Sequence, residues 1–221
     1  MRCVAPPWSS GRSASSSDGS GLGARSNRLD LDDPIAVSLA VYKAFRTAEV
    51  DVALYGGLAL AAYGEPRETK DADFAVAGQN GAAGAARLAQ AGLTAILAFD
   101  RVRFGGTLLS RITLVEGGGA VGLNTVDLVE PRSSRFARAA LGRAVEGVLR
   151  GEPIRVLSPE DFVLFKVLST RERDLEDAAT VVRALGPDLD RAFIEQEARA
   201  LAVEILDHDV TRRLARVQGL A

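Results

Sequence analysis

Hydrophobic and polar positions divide the chain into three stretches. From Ile35 to Val50 the apolar residues recur at helical spacing, and Asp33-Pro34 before them reads as a helix start with proline in the first turn. Asp51 to Tyr55 (DVALY) is a short buried strand. It ends at Gly56-Gly57 and is followed by an apolar short helix from Leu58 to Tyr63. Residues 64–70 (GEPRETK) read as loop, and Asp71 to Val76 (DADFAV) alternates as a strand. An Ala-rich helix from Gly81 to Ala91 follows. Strands are expected at Thr94 to Phe99, Thr107 to Val115 and Val121 to Val129, with a turn at Gly117-Gly118-Gly119 between the last two. After Pro131 the pattern gives a short helix, then a hairpin from Ala144 to Leu157 turning at Gly151-Glu152-Pro153. Ser158-Pro159-Glu160-Asp161 has the makings of a helix N-terminus: a hydroxyl cap, proline at the first position and acid in the first turn. The remainder reads as helical, broken at Gly186-Pro187. These elements predict an α+β body over 30–157, with a mixed sheet flanked by helices, and a C-terminal helical segment over 158–221.

Residues 1–29 stand apart. Eight Ser, four Gly and two Pro fill almost half of this stretch, a composition that buries too little apolar surface to order, so it is expected to be a disordered tail. Its four Arg and one Asp superficially mimic a transit peptide. Gly19-Ser20-Gly21-Leu22-Gly23 brushes against a dinucleotide-binding fingerprint, but no strand precedes it. Beyond the tail, 23 basic and 28 acidic side chains give a net charge of −5, which makes nonspecific phosphate-backbone binding weak. No apolar run approaches the ~20 residues of a membrane helix, so a cytoplasmic protein without membrane contact is expected. One Cys (Cys3) and one His (His208) rule out an intrachain disulfide, a Cys-based zinc site and multi-His metal sites. His208, between Asp207 and Asp209, is expected on the surface. Chemistry must therefore rest on carboxylates, Lys, Arg, hydroxyls and backbone.

The segment YGGLALAAYGEPRETKDADFAV, residues 55–76, concentrates those groups. On a strand, residues i and i+2 share a face, so Asp71 and Asp73 point one way while Ala72, Phe74 and Val76 point into the core. Two carboxylates about 7 Å apart repel, and each disfavours ionisation of the other. A divalent cation such as Mg²⁺ between them relieves the repulsion. Gly56 and Gly57 let backbone amides approach a ligand closely, and the helix that begins there adds the partial positive charge of its N-terminus. A phosphate-binding turn facing a carboxylate pair suits a nucleoside triphosphate with its Mg²⁺.

Gly56-Gly57, a short helix, and then the Asp71-Ala72-Asp73-Phe74 strand after thirteen intervening residues resemble the signature of the polymerase-beta-like nucleotidyltransferase superfamily. The resemblance implies a third carboxylate on a later strand. Asp127 in LNTVDLVE fits, because Val126 and Leu128 face away from it. Further on, VLSPEDFVLFKVLSTRERDLEDAATVV is similar to the helical segment of bacterial minimal nucleotidyltransferases and AbiEii-type toxins, matched at Lys166 and at Arg171, Arg173, Asp174 and Asp177. The chain departs from the pattern where many members carry Ser in place of Gly57.

The resemblance implies a Mg²⁺-dependent nucleotidyltransferase. In this reading Asp71, Asp73 and Asp127 hold metal ions and carry catalysis, and Gly56, Gly57, Lys70 and Lys166 bind the NTP. The acceptor is RNA, a protein or a small molecule, and a cognate toxin or antitoxin is the expected partner. Two further readings are a non-catalytic, partner-binding module of the same fold and an aminoglycoside-type nucleotidyltransferase. Lys166, on an apolar helix beside Phe162 and Phe165, either snorkels from the core edge or contacts the nucleotide. Arg171, Arg173, Asp174 and Asp177 are most simply i,i+3 and i,i+4 pairs within one helix.

Overall fold

The computed structural model describes residues 29–116 and 122–221. The tail, apart from its last residue, and the Gly117–Gly119 turn lie outside the described residues. The first helix, α1 (Pro34–Thr47), starts as its sequence dictates: the Asp33 carboxylate accepts hydrogen bonds from the Ile35 and Ala36 amides, and Pro34 occupies the first turn. Next come β1 (Ala53–Leu54), α2 (Gly56–Tyr63), β2 (Ala72–Ala75), α3 (Gly81–Gln90), β3 (Ala95–Phe104), β4 (Thr107–Val115), β5 (Leu123–Pro131) and α4 (Ser134–Arg143). A hairpin of β6 (Val145–Leu149) and β7 (Glu152–Val156) leads to the helices α5 (Pro159–Leu168), α6 (Glu172–Leu185), α7 (Arg191–Glu204) and α8 (Val210–Leu220).

The seven strands form one mixed sheet in the order β3-β4-β5-β2-β1-β7-β6. β2 runs parallel to β5, and β1 parallel to β7, while the remaining neighbours are antiparallel. This is the α+β class that the element pattern predicts. Strand alternation gives the sheet two unlike faces. Phe74, Ile112 and Leu128 are buried, and the packing of Gly84 in α3 against Ile112, Leu128 and Phe45 of α1 places α1 and α3 over that face. The opposite face carries Asp73, Arg111 and Asp127.

That second face is walled by α5 and α6. Tyr55 stacks tilted against Phe162 and Phe165 at 5.5 and 5.4 Å between ring centres, and Phe165 meets Phe136 at 5.7 Å. Each fully buried ring contributes about 1.5–3 kcal/mol, so this cluster fixes α5 against the end of β1. One hydrophobic core runs continuously from Leu31 to Val217. Ser158 caps α5 as its sequence signals, and the first-turn Asp161, wholly buried, is gripped by Arg143 through two bonds of 2.7 and 3.0 Å.

The helical stretch is more broken than its pattern suggests. Besides the turn at Gly186–Asp188, it is interrupted at Ser169–Arg171 and again between Ile205 and Asp209. His208 corrects the surface expectation. Its ring is half-buried, with Nε2 3.0 Å from the Val167 carbonyl oxygen, and it packs on Gly105 and Gly106 at the β3–β4 turn. A Cβ on Gly105 would come within 2.8 Å of the ring, so the side-chain-free turn makes room for it. No helix among the described residues is long and apolar enough to cross a membrane.

Candidate active site

Strand register assembles the site in one row. Asp73 on β2 is the direct partner of Asp127 on parallel β5, and Asp127 is in turn the partner of Arg111 on antiparallel β4. Arg111 is followed by Phe99 on β3. At the other end, the Tyr55 amide donates to the Asp73 carbonyl at 2.9 Å, which places Tyr55 next in line. Asp71, one step before β2, accepts a hydrogen bond from Thr125 Oγ1 at 2.5 Å. Asp71, Asp73 and Asp127 all line one open cavity of about 210 Å³, as do Tyr55, Gly56, Thr69 and Lys166.

The three carboxylates do not share one environment. Burial, reinforced by the charges of Asp127 and Asp71, pushes the half-buried Asp73 carboxyl up to about 7, against an opposing pull from Lys166. Asp127 is held by Arg111 through a two-pronged ion pair, Nε to Oδ1 at 2.8 Å and Nη2 to Oδ2 at 2.7 Å. The Arg111 guanidinium also lies 5.7 Å from the centre of the Phe99 ring.

Gly56 shows why a glycine ends β1. Its φ of +67° lies in the left-handed region, and a Cβ there would overlap the Asp73 carboxylate and lie 2.6 Å from Asp73 Cβ. Gly56 thus opens α2 and leaves room for Asp73 in one step. Gly57 is crowded similarly, since a Cβ would fall 2.7 Å from Thr69 Cβ. Gly56→Ala is expected to combine about 1–2 kcal/mol of backbone strain with displacement of Asp73. A shift of about 1 Å at a reacting group lowers turnover on the order of 100-fold. Catalytic activity of this variant measured beside its melting curve checks that expectation: a loss of turnover that far outweighs any loss of fold.

The facing wall belongs to α5 and α6. Lys166 is buried, its ammonium 2.6 Å from Asp174 Oδ1 and 2.9 Å from Asp177 Oδ2, with the Tyr55 and Phe162 rings at 5.1 and 5.4 Å. Asp174 also accepts from Ser169 Oγ at 2.5 Å, and Asp177 receives Arg67 Nε and Nη2 at 3.3 and 3.2 Å. Burial alone would raise the Asp174 carboxyl, but the Lys166 charge, with hydrogen bonds from Lys166 and Ser169, holds it below its ordinary value. These contacts correct the expectation of pairs within one helix. Asp174 and Asp177 reach back to α5 and across to the loop before β2, while the Arg171 and Arg173 guanidiniums line the cavity with no hydrogen bond or ion pair among the described residues. Lys166 is both a cavity-lining cation and a buried ion-pair centre, not a snorkelling side chain at the core edge.

Among the expected nucleotide-binding residues, Gly56 and Lys166 line the cavity, and Gly57 sits one position inside α2. Lys70 is the exception. Its side chain is exposed and does not line the cavity, and its carbonyl is held by Asn124 Nδ2 at 2.8 Å. The sequence places Arg67 and Thr69 in the loop before Asp71 without giving them a role, and assigns none to Tyr55 or Arg111. The loop composition of residues 64–70 gave a signal for Arg67 and Thr69; nothing local gave one for Arg111.

Asp71 and Asp73 offer hard carboxylate oxygens, and the carboxylate repulsion that adds to burial in raising Asp73 is what a cation would relieve. Asp127 is engaged with Arg111 on both oxygens, and among the described residues no group of three or more His, Cys, Asp or Glu side chains is placed to hold a metal ion. The pair Asp71 and Asp73 therefore fits a cation, and Asp127 fits one only after changing its contact with Arg111.

The fold is a mixed sheet flanked by helices, with a glycine turn opening α2 beside an acidic strand. The model of the aminoglycoside-2''-adenylyltransferase family matches residues 37–181, about two thirds of the chain, and the chain belongs to that family and is a nucleotidyltransferase. Among solved structures, an antigenic nucleotidyltransferase-like protein from Paracoccidioides brasiliensis is 19% identical, with a TM-score of 0.49, covering 85% of this chain and 94% of its own. The solution structure of the antibiotic-resistance factor ANT(2'')-Ia is 18% identical with a TM-score of 0.47, covering 79% of this chain and 97% of its own. A crystal structure of ANT(2'')-Ia in complex with adenylyl-2''-tobramycin is 17% identical with a TM-score of 0.47, covering 77% of this chain and 97% of its own. None of the curated proteins matches the chain at a significant level.

Proposed function

We propose that this protein transfers the adenylyl group of ATP to a hydroxyl of an aminoglycoside-class acceptor, a small polyamine sugar. The family match carries this reading, and the acidic wall of Asp71, Asp73 and Asp127 is consistent with it, since such a wall suits an acceptor bearing several ammonium groups. The toxin–antitoxin role expected from the sequence gains no support from the family match, which favours a small-molecule acceptor.

In this reading Asp71 and Asp73 hold a divalent cation, which when bound neutralises the charge that develops on the triphosphate. The Gly56 and Gly57 amides at the start of α2 receive phosphate oxygens. Arg171, Arg173 and Lys166 supply positive charge from the opposite wall. The acceptor hydroxyl oxygen forms a bond to the α-phosphorus of ATP, the bond from that phosphorus to the bridging oxygen breaks, and pyrophosphate leaves with the electron pair. Asp127, kept in orientation by Arg111, takes the hydroxyl proton. The proposed cation is Mg²⁺ and the proposed nucleotide is ATP.

The test is incubation with ATP, MgCl₂ and, separately, an aminoglycoside panel, total RNA and a protein lysate, with pyrophosphate release and acceptor mass as readouts. Release that depends on an aminoglycoside, with an adenylylated product, is the expected result. Labelling of RNA or protein without aminoglycoside turnover would overturn it.

A further inference from the structure

Three carboxylates meet on one sheet face, yet only one of them carries a dedicated cation. Asp127 stands beside Asp73 in strand register, and Arg111 stands beside Asp127 on the next strand. The guanidinium takes both Asp127 oxygens at 2.7 and 2.8 Å, and the Phe99 ring supports it on the far side at 5.7 Å. The side chain of Asp127, which lines the cavity, is 5% exposed, and that of Arg111 beside it is 31% exposed. A positive charge at this place does for Asp127 what a divalent cation does for a carboxylate cluster.

We propose that Arg111 is a built-in counter-ion of the cation site, a positioning residue that holds Asp127 while no divalent cation is bound and yields one of its oxygens when a cation settles on Asp71 and Asp73. This rests on the reading of Asp71 and Asp73 as the cation-binding pair. Strand register makes the exchange short. Arg111, Asp127 and Asp73 sit on consecutive strands in one row, so a cation at Asp73 is adjacent to Asp127 and needs no backbone movement to reach it. Arg111 and the cation then compete for the same carboxylate.

Competition has a signature that plain structural support lacks. Without divalent cations, Arg111→Met should melt below wild type, because Asp127 loses its partner beside Asp73. MnCl₂ should then stabilise the variant more than it stabilises wild type. Mn²⁺ affinity, read from the spin-resonance signal of free Mn²⁺ without nucleotide, should tighten roughly tenfold, as expected when charge-assisted hydrogen bonds no longer compete. Arg111→Lys, which keeps the charge but loses the fork, should fall between the two. Equal or weaker Mn²⁺ binding in the Met variant overturns the proposal. Should the Met variant not fold, unchanged or weaker binding in Arg111→Lys overturns it equally. Asp73→Asn in the same titration separates the two levels: if its Mn²⁺ affinity equals wild type, the cation site itself is wrong. If Asp73→Asn weakens binding and the Arg111 variants do not tighten it, only the role of Arg111 is wrong.

Discussion

Asp73→Asn should lose nucleotidyl transfer by on the order of 1,000-fold or more and at the same time melt higher than wild type at pH 8. The first effect follows from its place between Gly56 and Asp127 on the cavity wall. In the proposed reading Asp73 helps hold the cation, so its loss removes several kcal/mol of charge stabilisation, and each ~1.4 kcal/mol is tenfold in rate. The second effect follows from burial and neighbouring charge, which raise the carboxyl to about 7 from an ordinary 3.8. In the fold the neutral acid is preferred. Below pH 4 both folded and unfolded chains hold the proton, and the group costs nothing. Between pH 4 and 7 the unfolded chain releases its proton first, so stability falls as pH rises; above 7 the penalty is full and constant. The full shift corresponds to about 4 kcal/mol, which water reaching the half-buried carboxyl reduces to about 1–3 kcal/mol. Asparagine keeps the shape without the charge. The difference in melting temperature between variant and wild type, measured in a chelator, should grow from pH 4 to 7 and then level off. A difference independent of pH would show that Asp73 is not a strained carboxylate.

The parts of this site that were legible in the sequence are those that strand alternation displays. Asp71 and Asp73 alternate with Ala72 and Phe74, and Asp127 lies between Val126 and Leu128, so each is marked as a polar residue on a strand whose other face is core. Gly56-Gly57 was legible as a turn, though only the structure shows the Asp73 carboxylate occupying the space of the missing Cβ. Arg111 was not legible. It occupies an ordinary polar position in the β4 alternation, and its meaning comes from a register that pairs it with a residue sixteen positions later. Lys166 posed the opposite problem. Its helical stripe was plain, but the break at Ser169, which folds α6 back against α5, carries no Gly or Pro to announce it. The Asp174 and Asp177 carboxylates therefore looked like partners for the arginines of their own helix. His208 looked exposed between two acids because the glycine turn that receives its ring is about a hundred residues away in sequence.

That folding back of α6 sets the largest expected loss of stability. Lys166 is 3% exposed and binds two carboxylates that are themselves nearly buried. Removing one member of such a cluster leaves uncompensated buried charge and costs about 3–5 kcal/mol. Lys166→Met keeps an unbranched apolar stem but loses the charge and with it the ammonium contacts over the Tyr55 and Phe162 rings, so its cost is chiefly electrostatic. At about 2–4 °C per kcal/mol for a chain of this size, the melting temperature should fall by roughly 6–20 °C. The loss should not be shared evenly. Asp177 keeps its two contacts from Arg67, whereas Asp174 keeps only the hydroxyl of Ser169. Asp174→Asn added to Lys166→Met should therefore restore most of the lost stability, and Asp177→Asn added instead should restore little. Thermal melts of the three variants at pH 8 decide it. A fall of less than ~1 kcal/mol for Lys166→Met, or equal rescue by the two asparagines, would show that Lys166 is not the centre holding α5 to α6.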